Sequence, residues 1–195
     1  MRILVLLLAG CALVSKSQPI DVHYFSPELP AAKAPSNAAS VPRGRLRLAR
    51  VIASSHLRYR IVQRESAVEL SLYDTRRWSE MPERYVRRSL ERALFEVRGL
   101  DEATGGSAVA LDVEVLAFEE VRGPTHRGRV QLRYRLRNER DVLASGVVTG
   151  EREVLAARFD AVVEAIGGAL DDATSRLADA VLEHVPSTTQ SSADS

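Results

Sequence analysis

The chain has 195 residues and a formal net charge of +1 at pH 7, with 27 basic and 26 acidic side chains. A balance this close to neutral gives no reason to expect nucleic acid as a partner, since such binding depends on excess positive charge. Its single cysteine, Cys11, excludes an internal disulfide framework and a metal site built from several thiolates. The length fits one domain.

The first ten residues are typical of an export signal. Arg2 precedes an apolar run from Ile3 to Leu8, far shorter than the roughly 20 apolar residues of a membrane-spanning helix. The run ends in Leu8, Ala9, Gly10 and Cys11, an order that resembles the bacterial lipoprotein signal. In that signal the cysteine thiol receives a diacylglycerol and the peptide is cut just before it. We therefore expect Cys11 to begin the mature protein and to anchor it in a membrane. The alternative is an ordinary secretory signal with an incidental cysteine.

The N-terminal part of the mature chain is predicted to hold little folded structure. Ala12, not an acidic residue, follows the cysteine, which favours the periplasmic face of the outer membrane under the sorting rule of enteric bacteria and leaves the inner membrane open. Ile20–Phe25 is predicted to be a short strand. Ser26–Arg43 is rich in proline, alanine and serine, and is interpreted as a tether or a long surface connection.

The compact domain is predicted to begin with strands and a helix. Apolar and polar residues alternate in three segments, around Leu46–Val51, Leu57–Ile61 and Val68–Leu72, and the last two suit a hairpin. The spacing then changes to that of a helix over Glu83–Val97, with Pro82 at its start and Gly99 at its end.

A second block repeats this order. Strands are predicted over Val109–Val115, Val130–Leu136 and Leu143–Val154, followed by a long helix over Phe159–Val185. The expected fold class is α+β, a two-layer sandwich of an antiparallel or mixed sheet with two main helices on one face. The expected boundaries are 1–10 for the signal peptide, 11–44 for the lipidated N-terminus with strand and tether, 45–186 for the domain and 187–195 for a disordered tail.

The order of features resembles the ABC-type transport auxiliary lipoproteins, which include the lipoprotein of the paraquat-inducible intermembrane transport system. The similar features are the signal at Cys11, the Tyr24-Phe25 strand, the arginine-rich block 57–63 and the strand–strand–helix ending over 109–185. The sharpest part is a run that enters the first helix, with Tyr73, Arg77, Trp78 and Pro82. Met81 departs from the family, which more often has a second proline there.

The resemblance implies an accessory component with no catalytic residues and no cofactor. Such proteins work with an ATP-driven inner-membrane permease and an MCE-domain protein to move lipids or other hydrophobic molecules between the membranes. A homo-oligomer is left open. The alternative function is a lipoprotein regulator of cell-wall synthesis or of outer-membrane assembly, which small sandwiches of this kind also serve.

An enzyme is the least favoured interpretation. The four histidines are scattered without metal-ligand spacing, and neither a Gly-x-Ser-x-Gly elbow nor a phosphate-binding glycine loop is present. Glu119 and Glu120 are expected to form a solvated strand end, not an acid–base couple.

Two further features have a structural and a functional interpretation. Trp78 is expected in the core, the alternative being an anchor at an interface. Five arginines are expected on a solvated sheet face with ion pairs to Glu65 or Glu69, and the alternative is contact with anionic lipid or an acidic partner; they are Arg45, Arg47, Arg50, Arg58 and Arg60.

Overall fold

The computed structural model describes residues 20–27, 44–105 and 108–185. The elements in chain order are β1 (His23–Phe25), β2 (Arg45–Ala53), β3 (Arg60–Arg64), β4 (Leu70–Trp78), α1 (Pro82–Glu91), β5 (Asp101–Glu102), β6 (Val109–Val121), β7 (Arg127–Arg137), β8 (Val142–Glu153) and α2 (Phe159–Leu182). A π-helical segment, Arg92–Val97, continues α1 and ends before Gly99, whose φ of 66° suits glycine. None of the helices in these ranges is long and apolar enough to cross a membrane.

All eight strands form one mixed sheet around the long strand β6. β7 pairs antiparallel along one edge of β6, and β8 pairs antiparallel with β7. The other edge of β6 is shared by two parallel strands in line, β2 over its first half and β3 over its second. β5 pairs with β2, β4 with β3, and β1 with β4. The sheet and two helices confirm the predicted α+β class.

Both helices pack on the same face of the sheet and enclose one hydrophobic core. The largest side chains in it with no exposure to solvent are Trp78 and Phe118. Burial of such apolar surface is the dominant stabilising contribution to the fold, at about 25 cal/mol per Å². The other face of the sheet has no helix over it within the described part of the chain.

Two glycines allow α2 to lie directly on the sheet. A Cβ atom at Gly128 of β7 would lie 2.5 Å from the backbone nitrogen of Ile166, and one at Gly150 of β8 would lie 2.7 Å from that of Ala173. Since real Cβ contacts are longer than this, only glycine fits at either position.

The predicted boundaries of three strands were wrong. β1 starts at His23 and not at Ile20, Leu57 lies in a turn before β3, and β4 runs on to Trp78, where the sequence pattern had suggested the approach to a helix. β4 continues because its last three residues, 76–78, pair with β1 on one side while Arg77 pairs with Arg60 on the other. Since β1 and β2 belong to one sheet, residues 28–43 join two strands of the same fold.

Candidate functional site

Trp78, predicted to lie in the core, is fully buried there and anchors the start of α1. Its ring makes an edge contact with Phe118 at 5.1 Å and another with Tyr85 at 6.2 Å. The Tyr85 hydroxyl accepts a 3.0 Å hydrogen bond from the backbone N–H of Glu80 and lies 2.7 Å from the hydroxyl of Ser79. This contact satisfies a donor at a helix start whose N-cap residue, Met81, offers no side-chain cap.

Pro82 and Arg77 also act within the fold. Pro82 is buried at the first turn of α1, where the missing N–H is not needed. The guanidinium of Arg77 donates to the backbone carbonyls of Tyr73 and Arg76 at 3.0 and 3.2 Å. Both residues therefore stabilise the β4–α1 junction.

Tyr73 joins β4 to a buried carboxylate of β6. Its hydroxyl donates a 2.6 Å hydrogen bond to Glu120, which is 1% exposed, and accepts one of 3.0 Å from Arg122. His126 Nε2 lies 2.6 Å from the other oxygen of Glu120. Burial, together with the hydrogen bond and the negative charge of Glu120, raises the pKa of Tyr73 above its ordinary value. The phenol is therefore protonated at neutral pH and acts as the donor.

Aromatic contacts link Tyr73, the first strand and the start of the last helix in one cluster. The ring of Phe159, the first residue of α2, makes edge contacts with Tyr73 at 4.9 Å and with Phe25 of β1 at 4.7 Å. The guanidinium of Arg76 lies 3.9 Å from the centre of the Phe159 ring and 4.6 Å from that of Tyr73. This cluster fastens β1 to the domain.

Glu119, the neighbour of Glu120, points to the opposite face of the sheet and is also buried. It forms ion pairs with Arg64 of β3, at 2.9 Å, and with Arg129 of β7. The expectation of a solvated strand end was therefore wrong for both glutamates. Each is desolvated by burial, and cations or hydrogen-bond donors from other strands and from the β6–β7 turn compensate it. Because adjacent strand residues face opposite ways, the two carboxylates do not form a pair.

The uncovered face of the sheet carries two rows of side chains around an open depression of about 430 Å³. Both rows cross β2, β6, β7 and β8 in register. The first consists of Arg50, Asp112, Arg135 and Ser145, and the second of Ile52, Glu114, Arg133 and Val147. We call this surface the open-face depression.

Not all of the arginines on this face are neutralised. Arg133 pairs with Glu114 at 2.7 Å and Arg137 with Asp112 at 3.1 Å. By contrast, four exposed arginines of β2 and β7 on this face make no ion pair within the described ranges, and they are Arg45, Arg47, Arg50 and Arg135. The face therefore holds an excess of positive charge.

The ion-pair partners that the sequence predicted for five arginines were wrong. None of them pairs with Glu65 or Glu69: Arg60 pairs with Asp74 at 2.5 Å, and Glu65 lies 3.7 Å from Arg122. The sequence pattern was right for the exposed strand positions of Arg45, Arg47 and Arg50, whereas Arg58 lies in the turn before β3 and not on the sheet. The pairing could not be predicted because the carboxylates come from other segments of the chain.

The predicted lipidation motif, Leu8, Ala9, Gly10 and Cys11, lies outside the described residues. Within the described ranges, no group of three or more His, Cys, Asp or Glu side chains could hold a metal ion. The two buried carboxylates of β6 both have partners: Glu119 pairs with Arg64 and Arg129, and Glu120 with Tyr73 and His126.

Solved structures with this fold exist. A crystal structure of a protein from Xanthomonas campestris is 21% identical, with a TM-score of 0.71 over 83% of this chain and 96% of that one. A hypothetical protein from Chlamydia trachomatis, 8% identical, has a TM-score of 0.53 over 73% of this chain and 98% of that one. At these identities the likeness shows the fold alone. No curated protein matches the chain significantly.

The family is shown by a match over most of the sequence. The family model of the ABC-type transport auxiliary lipoprotein component matches residues 28–178, from the proline-rich connection to the last third of α2. This is not a known family of enzymes, and a lipoprotein family implies a place in the cell envelope. The chain belongs to the family of ABC-type transport auxiliary lipoprotein components.

Proposed function

We propose that the protein is acylated at Cys11 and serves at the periplasmic face of the outer membrane as the accessory component of a transporter. In this role it works with an inner-membrane ABC permease and an MCE-domain protein that together move lipids or other hydrophobic molecules between the membranes. Family membership supports the transport assignment. The order Leu8, Ala9, Gly10, Cys11 supports the anchor.

The observation that carries a docking role is the positive charge left on the open face. Arginine is enriched at protein interfaces because its planar guanidinium binds carboxylates with two hydrogen bonds. Arg50 and Arg135 flank Asp112 across the strands, and neither makes an ion pair within the described part of the chain. We assign this face to an acidic surface of the partner transport protein.

The shape of the depression also favours a protein contact over a lipid cavity. It is wide open to solvent, and charged side chains of both rows line it alongside Ile52 and Val147. The helix-covered face is filled by packed side chains such as Leu132 and Ile166. A hydrophobic molecule would need an enclosed apolar site, whereas a carboxylate-bearing surface fits the guanidiniums.

The anchor is tested by the mass of the mature protein. The wild type is expected to begin at Cys11 with a diacylglycerol thioether and an acylated amine, and to remain in the membrane fraction. Cys11→Ser removes the nucleophilic thiol, so it is expected to keep its signal peptide and carry no lipid. A wild-type product with a free thiol, or with a cut elsewhere, refutes the anchor.

The partner is tested by affinity purification from detergent-solubilised envelopes. Wild-type protein is expected to recover an MCE-domain protein or a permease, and Arg135→Glu and Arg50→Glu are expected to lower recovery at least tenfold. Arg176→Glu is the matched control, since Arg176 is an exposed, unpaired arginine on α2 within the described residues. Recovery of neither transport protein by the wild type refutes the assignment. Equal recovery with Arg135→Glu and Arg176→Glu refutes the open face as the docking surface.

A further inference from the structure

The topology places three turns at one end of the sheet. β1 is parallel to β4, so its N-terminus points toward the β3–β4 turn, residues 65–69. β3 and β8 both run in the direction of β6, so this end also holds the β6–β7 turn, 122–126, and the β8–α2 turn, 154–158. Backbone hydrogen bonds join the turns, from Arg122 to Arg64 at 2.9 Å and from Val154 to His126 at 2.9 Å. We call this the turn end.

The turn end carries the most exposed large hydrophobic side chains of the described residues. Val68 is 94% exposed at the tip of the β3–β4 turn, and Leu155 is 87% exposed in the β8–α2 turn. Ile20, where the described chain begins, is 72% exposed. Isolated exposed apolar residues are ordinary, but Val68 and Leu155 lie on two separate turns at the same end of the sheet, and Ile20 precedes a strand whose N-terminus points toward that end.

The link from the predicted lipid to the residues before β1 is short. Because β1 is part of the sheet, the proline-rich stretch lies between two strands and adds nothing to the length of the tether. Nine residue steps separate Cys11 from Ile20, and at about 3.3 Å per residue they span at most about 30 Å. A lipid at Cys11 therefore restricts the turn end, more than the opposite end, to the neighbourhood of the bilayer.

We propose that the turn end is a membrane-contact surface that inserts Val68 and Leu155 into the interfacial region of the bilayer holding the lipid. This proposal rests on the acylation of Cys11 assigned above. It fixes the orientation of the domain: the opposite end, with the turn over Asn138–Asp141 and the start of β8 at Val142, faces away from the membrane.

The charges of the turn end indicate which force holds it there. Three carboxylates and two guanidiniums lie on these segments beside His126, namely Asp21, Glu65, Glu69, Arg122 and Arg158. Such a set offers no excess positive charge to attract anionic lipid. Contact depends on the tether and on the apolar side chains, so insertion should not require anionic lipid.

The test measures the depth of single spin labels on the acylated, full-length protein in vesicles. Cysteines introduced by Val68→Cys and Leu155→Cys carry the label, and the control is Val142→Cys, a valine that is 57% exposed at the opposite end. Acylation of Cys11 leaves the introduced thiol as the one available for labelling. Vesicles of phosphatidylethanolamine with phosphatidylglycerol are compared with vesicles of phosphatidylcholine alone.

For each label, the measured quantity is the ratio of its collision rate with oxygen to its collision rate with a water-soluble nickel chelate. This ratio is expected to be at least threefold higher at positions 68 and 155 than at position 142, in both kinds of vesicle. Equal water exposure at all three positions in a protein that floats with the vesicles overturns this surface and leaves the anchor intact. Shielding of 68 and 155 only after a partner protein is added also overturns it, since the occupant would be a protein. Failure of the protein to float with vesicles refutes the anchor itself and the membrane surface with it.

Discussion

The hydroxyl of Tyr73 donates a 2.6 Å hydrogen bond to the carboxylate of Glu120, a residue 47 positions away that is almost fully buried. Tyr73 belongs to the run by which the sequence resembles its family, and Glu120 lies on the central strand β6. The contact connects the edge of the sheet to its centre and places the Tyr73 ring beside the start of α2. This part of the sequence motif thus corresponds to a structural junction.

Tyr73→Phe is expected to destabilise the fold. The substitution keeps the ring against Phe159 but removes one donor from the carboxylate of Glu120, and loss of a partner of a buried charged group costs about 1–3 kcal/mol. The free energy of unfolding in urea measures it. Tyr59→Phe is the control, because Tyr59 is about half exposed, and it should change stability by less than about 0.5 kcal/mol. Equal effects of the two variants would contradict the assigned role.

The raised pKa of Tyr73 predicts a loss of stability at alkaline pH. The native pKa lies above the ordinary value of 10.0 because of burial and of the bond to Glu120. The protonated phenol therefore contributes stability that is fully present below about pH 10 and is lost as the pH rises through the native pKa. Absorbance of tyrosinate near 295 nm, compared between wild type and Tyr73→Phe, should show one of the five tyrosines titrating late. A difference spectrum that titrates at or below pH 10 would contradict the prediction.

The alternation of apolar and polar residues predicted most of the fold, including the β3–β4 hairpin and both helices, because a strand or helix with one solvated face records its period in the sequence. Where neighbouring elements cover both faces of a strand, its residues no longer alternate between apolar and polar, and the pattern is lost. The end of β6, from Phe118 to Val121, is buried on both sides, and the sequence could not show that Arg129 and His126 compensate its carboxylates. Tyr73 was singled out by resemblance alone, since its partner lies 47 residues away.

The close approach of α2 to the sheet predicts that two glycines resist substitution by alanine. A Cβ at Gly128 or Gly150 would overlap the backbone of α2 near Ile166 or Ala173. Overpacking of this kind typically costs about 1–3 kcal/mol, and here the obstacle is a helix backbone, so we expect at least the upper value. Gly123→Ala is the matched control, with no atom within 4 Å of the added methyl group. Thermal unfolding measures the effect, and tolerance of alanine at both positions would mean that α2 lies farther from the sheet.

Two ion pairs between β6 and β7 differ in burial and therefore in their expected contribution to stability. Glu119 is fully buried between Arg64 and Arg129, whereas Glu114 pairs with Arg133 at a more exposed position on the same face. Removing one partner of a buried pair leaves charge uncompensated and costs about 3–5 kcal/mol, an upper bound here because both arginines retain some exposure. A surface pair contributes about 0–1 kcal/mol.

Glu119→Gln is accordingly expected to lower the free energy of unfolding by more than about 2 kcal/mol, and Glu114→Gln by less than about 1 kcal/mol. Both substitutions keep the size and shape of the side chain, so the contrast reports charge and not packing. Raising the salt concentration should reduce the small effect at Glu114 and leave most of the larger one, because buried pairs are poorly screened. Denaturant unfolding at two ionic strengths decides between these outcomes. Equal, salt-sensitive losses for the two variants would show that Glu119 is solvated in solution.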